Sequence, residues 1–97
     1  MNTELSTRLQ KRQATLRMVQ ELLVTELYLE VDPEDLDPDA PLFGSGHGLD
    51  SIDAVEILVA LEGKFQARLE GDRVDAVRHL RTVNTIVDRI LSEQAAQ

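Results

Sequence analysis

The chain has no cysteine and no tryptophan, and its 97 residues include three aromatic ones, Tyr28, Phe43 and Phe65. Without thiols there is no disulfide framework, no thiolate zinc site and no cysteine nucleophile, so any thiol chemistry must arrive on a cofactor. No window approaches the roughly 18 consecutive apolar residues of a membrane span. The polar start Met1-Asn2-Thr3-Glu4 lacks the apolar stretch of a secretory signal. These absences set the expectation of one complete cytoplasmic domain with no membrane insertion. At 42% hydrophobic, the chain supplies material for a single core.

Basic charge is also missing where it matters. Between Arg17 and Lys64 there is no Lys or Arg, while Glu21, Glu26, Glu30, Asp32, Glu34, Asp35, Asp37, Asp39, Asp50, Asp53, Glu56 and Glu62 all fall there. The middle of the chain therefore carries -12 against a net charge of -8. Such a field repels nucleic acid and anionic membranes, and steers the domain toward basic patches on other proteins. An acidic surface alone does no more than keep a small domain soluble. Here the acids surround one serine.

The apolar pattern has helical spacing and no convincing alternation of period two, so the fold class expected is all-α. Leu16, Val19, Leu23 and Leu27 recur at three- and four-residue spacing, with Leu9 extending the stripe backwards, which predicts a first helix over about residues 4–29. Residues 1–14 read as its polar N-terminal extension, frayed or independent of the core. From Glu30 to Asp50 the chain is rich in Asp, Pro and Gly, with Pro33, Pro38 and Pro41 disfavouring helix for the residues before them. Loops of this length are usually functional or disordered. Leu36, Leu42, Phe43 and Leu49 argue for order, since apolar side chains spread along the segment can pin it across the helices.

A second helix is predicted from Ser51 to about Phe65. At about 100° per residue, Ala54, Ile57, Leu58, Leu61 and Phe65 gather on one side as a core face. Ile52, Val55 and Val59 form a separate apolar stripe interleaved with Asp53, Glu56 and Glu62. That stripe either packs beneath the first or last helix or is a docking surface, with apolar side chains for grip and carboxylates for steering. After Gly71 a short third helix is expected around Asp72 to His79. Thr82 then reads as an N-cap for a last helix carrying Val83, Ile86, Val87, Ile90 and Leu91, and residues 93–97 as a polar tail.

An Asp-Ser pair at a helix start is by itself an ordinary N-cap. The whole run Gly48-Leu49-Asp50-Ser51-Ile52-Asp53-Ala54-Val55-Glu56, behind a long loop and before Leu61-Glu62-Gly63-Lys64-Phe65, is more specific. It resembles the phosphopantetheine attachment motif of the acyl carrier protein family, in which a Gly-x-Asp-Ser-[Leu/Ile] run opens the second helix. The likeness extends from about Leu16 to Leu91.

The resemblance implies a four-helix bundle with a long loop between helices 1 and 2 and a short third helix, residues 15–92 forming the carrier domain. It implies that a phosphopantetheinyl transferase, using coenzyme A and magnesium, attaches 4'-phosphopantetheine covalently to Ser51, with Asp50 and Leu49 flanking the site. The arm would carry acyl groups as thioesters between acyl-transferring and condensing enzymes that bear basic patches. Contact with those enzymes would fall to Ile52, Asp53, Val55, Glu56, Val59 and Glu62. The chain itself would be a monomeric carrier and not an enzyme.

Gly63 stands where many family members keep an acid, and the approach Leu42-Phe43-Gly44-Ser45-Gly46-His47-Gly48 is longer and richer in glycine than in housekeeping fatty-acid carriers. These departures resemble specialised carriers of aryl-polyene or polyketide synthesis. A peptidyl or aminoacyl carrier, or an unmodified acidic helical adaptor, are the alternatives. His47, Asp50 and Ser51 as a hydrolase triad would lack an oxyanion motif and a nucleophile elbow. The acids from Asp32 to Asp39 lack the spacing of a calcium-binding EF-hand loop.

Overall fold

The computed structural model describes residues 3–43, 51–66 and 80–95. Three α-helices are present among them: α1 (Thr3–Glu26), α2 (Ser51–Phe65) and α3 (Val83–Ala95), with a short 3-10 turn at Pro33–Asp35. The described part is all-helical as expected. The short helix expected around Asp72 to His79 lies outside the described residues. None of the described helices is long and apolar enough to cross a membrane.

α1 runs for 24 residues because nothing interrupts it: the chain has no Gly or Pro before Pro33. It ends in a Schellman motif. The Leu29 N–H donates to the Val24 carbonyl at 3.1 Å, and Tyr28 between them takes the left-handed conformation with φ 52°. Glycine fits that position without cost, whereas an L side chain there costs about 1–2 kcal/mol. Pro33 then closes off any helical continuation.

The core draws one stripe from each helix. Val19 and Leu23 of α1, Ala54, Ile57 and Leu61 of α2, and Val83, Ile86, Val87 and Ile90 of α3 are fully buried. Leu16, Leu27, Leu58, Phe65 and Leu91 pack against that centre, half-buried. Each fully buried Leu, Ile or Val contributes about 1.5–3 kcal/mol relative to exposure.

The crossing segment is pinned as its apolar residues predict: Leu36 and Leu42 are fully buried and Phe43 is half-buried. Leu49 lies outside the described residues. Backbone bonds fix the segment to the start of α3, with the Leu42 N–H donating to the Arg81 carbonyl at 2.8 Å and the Asn84 N–H to the Pro38 carbonyl at 3.0 Å. On the other side, buried Gln20 of α1 donates from Nε2 to the Leu36 carbonyl at 2.8 Å. Gln20→Leu keeps the volume but strands that carbonyl without its donor, and is expected to lower stability by about 1–3 kcal/mol. A urea melt checks this, and an unchanged midpoint would show that the bond is expendable.

α3 opens as the sequence predicts. Thr82 Oγ1 accepts from the Thr85 N–H at 3.1 Å, and Thr85 Oγ1 accepts from the Thr82 N–H at 2.9 Å, a reciprocal capping box with Thr in the role usual for Glu. The polar end of the chain is helical through Ala95.

The start of α1 is helical from Thr3, and residues 4–11 are all exposed, clear of the core as expected; Arg12 then ties the helix to α3 by donating to Asp88 Oδ1 at 2.6 Å and to Asn84 Oδ1 at 3.3 Å. Asn84 passes the link on, its Nδ2 donating to Asp39 Oδ1 at 2.6 Å. Against expectation, Leu9 does not extend the buried stripe and is 55% exposed. Arg12 already faces the first two turns of α3, so Leu9 lies beyond the end of the helix that would cover it.

Candidate functional site

Ser51 is the first residue of α2. That places the serine at the positive end of the helix macrodipole, where an attached anion is stabilised rather than repelled. Leu49, Asp50 and His47 of the approach, and His79, lie outside the described residues.

α2 has two apolar faces with opposite fates. Ala54, Ile57 and Leu61 are sealed in the core, while Ile52 is 60%, Val55 36% and Val59 64% exposed. The second stripe therefore does not pack beneath α1 or α3. Exposing three β-branched residues on a helix forfeits burial energy and helix propensity together, which makes this face a candidate docking surface.

The carboxylates interleaved with that stripe are not equivalent. Glu56 is exposed, whereas Asp53 and Glu62 are half-buried and engaged within the chain. Gly63 has open space where a Cβ would stand, so packing does not demand glycine at this end of the helix.

One wall of the surface comes from α1. Glu26, its last residue, lines a shallow groove of about 390 Å³ together with Val55, Glu56, Val59 and Ala60 of α2. Glu26 was not legible in the sequence as part of this surface. Its position in the acidic middle was visible, but the antiparallel pairing that brings the end of α1 beside the middle of α2 has no local signal. The candidate surface is thus composite, α2 supplying the serine and the apolar stripe and α1 adding a carboxylate and a rim.

The sequence matches the family described as "Phosphopantetheine attachment site" over residues 17–90. It is 35% identical over 68 residues to an acyl carrier protein of Thermosynechococcus vestitus, an alignment covering 70% of this chain and 79% of that protein. It is 33% identical over 76 residues to acyl carrier protein 2, mitochondrial, of Arabidopsis thaliana, covering 78% of this chain and 57% of that one.

Proposed function

From the fact that the chain belongs to the phosphopantetheine attachment family, with acyl carrier proteins among its relatives, we propose that Ser51 is the residue that takes the arm. As a member of that family the chain is a carrier and not an enzyme, and its prosthetic group is covalently bound phosphopantetheine.

The observation that carries the assignment of Ser51 is that α2 begins at this residue. The residues present fit the group. The phosphodiester would lie at the positive helix end, and the exposed stripe of Ile52, Val55 and Val59 runs away from it along the same helix. When bound, the arm supplies a thiol that holds acyl groups as thioesters. The chain's own part is to fix one end of the arm on a rigid element and leave the other free to reach successive enzymes at high local concentration.

We read the cargo as an acyl chain and the pathway as fatty-acid, aryl-polyene or polyketide synthesis in the cytoplasm. The acidic α2 face supports that reading, because it suits partner enzymes that present basic patches. Intact-mass measurement tests the carrier function: after incubation with coenzyme A and a broad-specificity phosphopantetheinyl transferase, the wild-type chain should gain one phosphopantetheine. An unmodified chain would favour the adaptor reading instead.

Glu56 is the cleanest probe of the partner face, because substitution of Asp53 or Glu62 would mix folding with docking. Glu56→Lys is expected to raise KM for the transferase about tenfold, with kcat and the circular dichroism spectrum unchanged. The effect should shrink in high salt, where long-range steering is screened. Equal loss of helicity would show Glu56 to be part of the fold's own packing.

A further inference from the structure

We propose that Tyr28 is an aromatic anchor that extends the partner-docking surface from α2 onto the C-terminal cap of α1, and that it enters an apolar pocket ringed by Lys or Arg on the transferase. The inference rests on the reading of α2 as the docking face.

Three observations meet at this residue. Tyr28 is 88% exposed, whereas the other two aromatic residues, Phe43 and Phe65, pack against the core. Its backbone holds φ 52°, the left-handed conformation at which glycine is the residue of choice. A tyrosine here therefore gains nothing from packing and fits the backbone poorly, so the fold supplies no reason for the ring. Gln66 holds a similar φ of 51° after α2, but its polar side chain carries no exposed ring with it.

The third observation is position. Glu26, two residues earlier, walls the groove formed by Val55, Glu56, Val59 and Ala60, so the C-terminal end of α1 stands beside the exposed stripe of α2. Near it in the sequence Glu26, Glu30, Val31 and Asp32 are exposed, and the one base close by is Lys64, which lines a separate hollow with Glu26. An exposed tyrosine in a predominantly acidic stretch is complementary to a basic-rimmed apolar pocket, where its ring offers both contact area and a π-face for a guanidinium. Pre-setting it in a fixed cap, rather than on a mobile loop, lowers the ordering cost of docking.

The chain has one tyrosine and no tryptophan, so 3-fluorotyrosine labelling gives a single ¹⁹F resonance for Tyr28. Titrating the labelled full chain with a broad-specificity phosphopantetheinyl transferase should shift or broaden that resonance. In steady-state loading with coenzyme A, Tyr28→Ala and Tyr28→Gly should raise KM for the carrier about tenfold at unchanged kcat, while Tyr28→Phe stays within about twofold of wild type. Tyr28→Gly should also melt about 4 °C higher than wild type, because strain at the cap is relieved. Weaker docking by a more stable variant is an outcome that a merely structural role would not give.

An unmoved resonance together with a wild-type KM for Tyr28→Gly would overturn the proposal. That result is distinct from failure of the carrier reading, in which the wild-type chain itself takes up no phosphopantetheine and the proposal falls with it.

Discussion

Ser51→Ala should gain no mass on incubation with coenzyme A and a phosphopantetheinyl transferase, whereas the wild-type chain should gain one phosphopantetheine. The substitution removes a single oxygen, and that oxygen is the atom to which the phosphorus of the arm would bond. Alanine tolerates the same backbone, and losing a serine at a helix start costs about 0.5–2 kcal/mol. The variant should therefore keep its helical spectrum, which separates loss of the acceptor from loss of the fold. The approach contains a second serine, Ser45, six residues upstream. If Ser51→Ala still gains the full mass, the arm is attached elsewhere and Ser45 is the first position to map by peptide analysis. The expected all-or-none result would tie the chemistry to the one serine that opens α2.

The parts of this protein that were legible in the sequence are those in which one local rule decides the outcome. The buried faces of α2 and α3 followed from three- and four-residue spacing, and the N-cap at Thr82 from its residue type. The exposed stripe on α2 was legible as an anomaly, since Ile52, Val55 and Val59 sit among carboxylates where burial is expensive.

What escaped depends on a second element. Gln20 has the composition of a surface residue, and its burial appears only when the crossing segment is laid over α1 so that the Leu36 carbonyl meets it. Leu9 has the right spacing for the core but no helix opposite it, a property of where α3 begins rather than of α1. Arg12 reads as one more charge on a polar extension, yet it bonds to Asp88, far along the chain. The conformation of Tyr28 left no mark in the sequence, because the position that glycine would normally announce is filled by another residue.

Two substitutions two residues apart on α2 should separate the two faces. Ile57→Ala removes a fully buried side chain and opens a cavity in the core cluster to which Leu23, Leu61 and Ile86 also belong. Truncations of this kind cost about 2–5 kcal/mol, which for a domain of this size lowers Tm by at least about 10 °C. Val59→Ala removes a side chain that is 64% exposed, and alanine's better helix propensity offsets the little burial that is lost. Its Tm should stay within about 3 °C of wild type. The order reverses in docking: Val59→Ala should raise KM for the transferase severalfold, while Ile57→Ala, assayed well below its own melting point, should leave KM near wild type. Thermal melts and loading kinetics on the two variants read both quantities. Equal melting losses would mean that Val59 belongs to the packed interior, and the outer stripe of α2 would then have no complement left to find outside the chain.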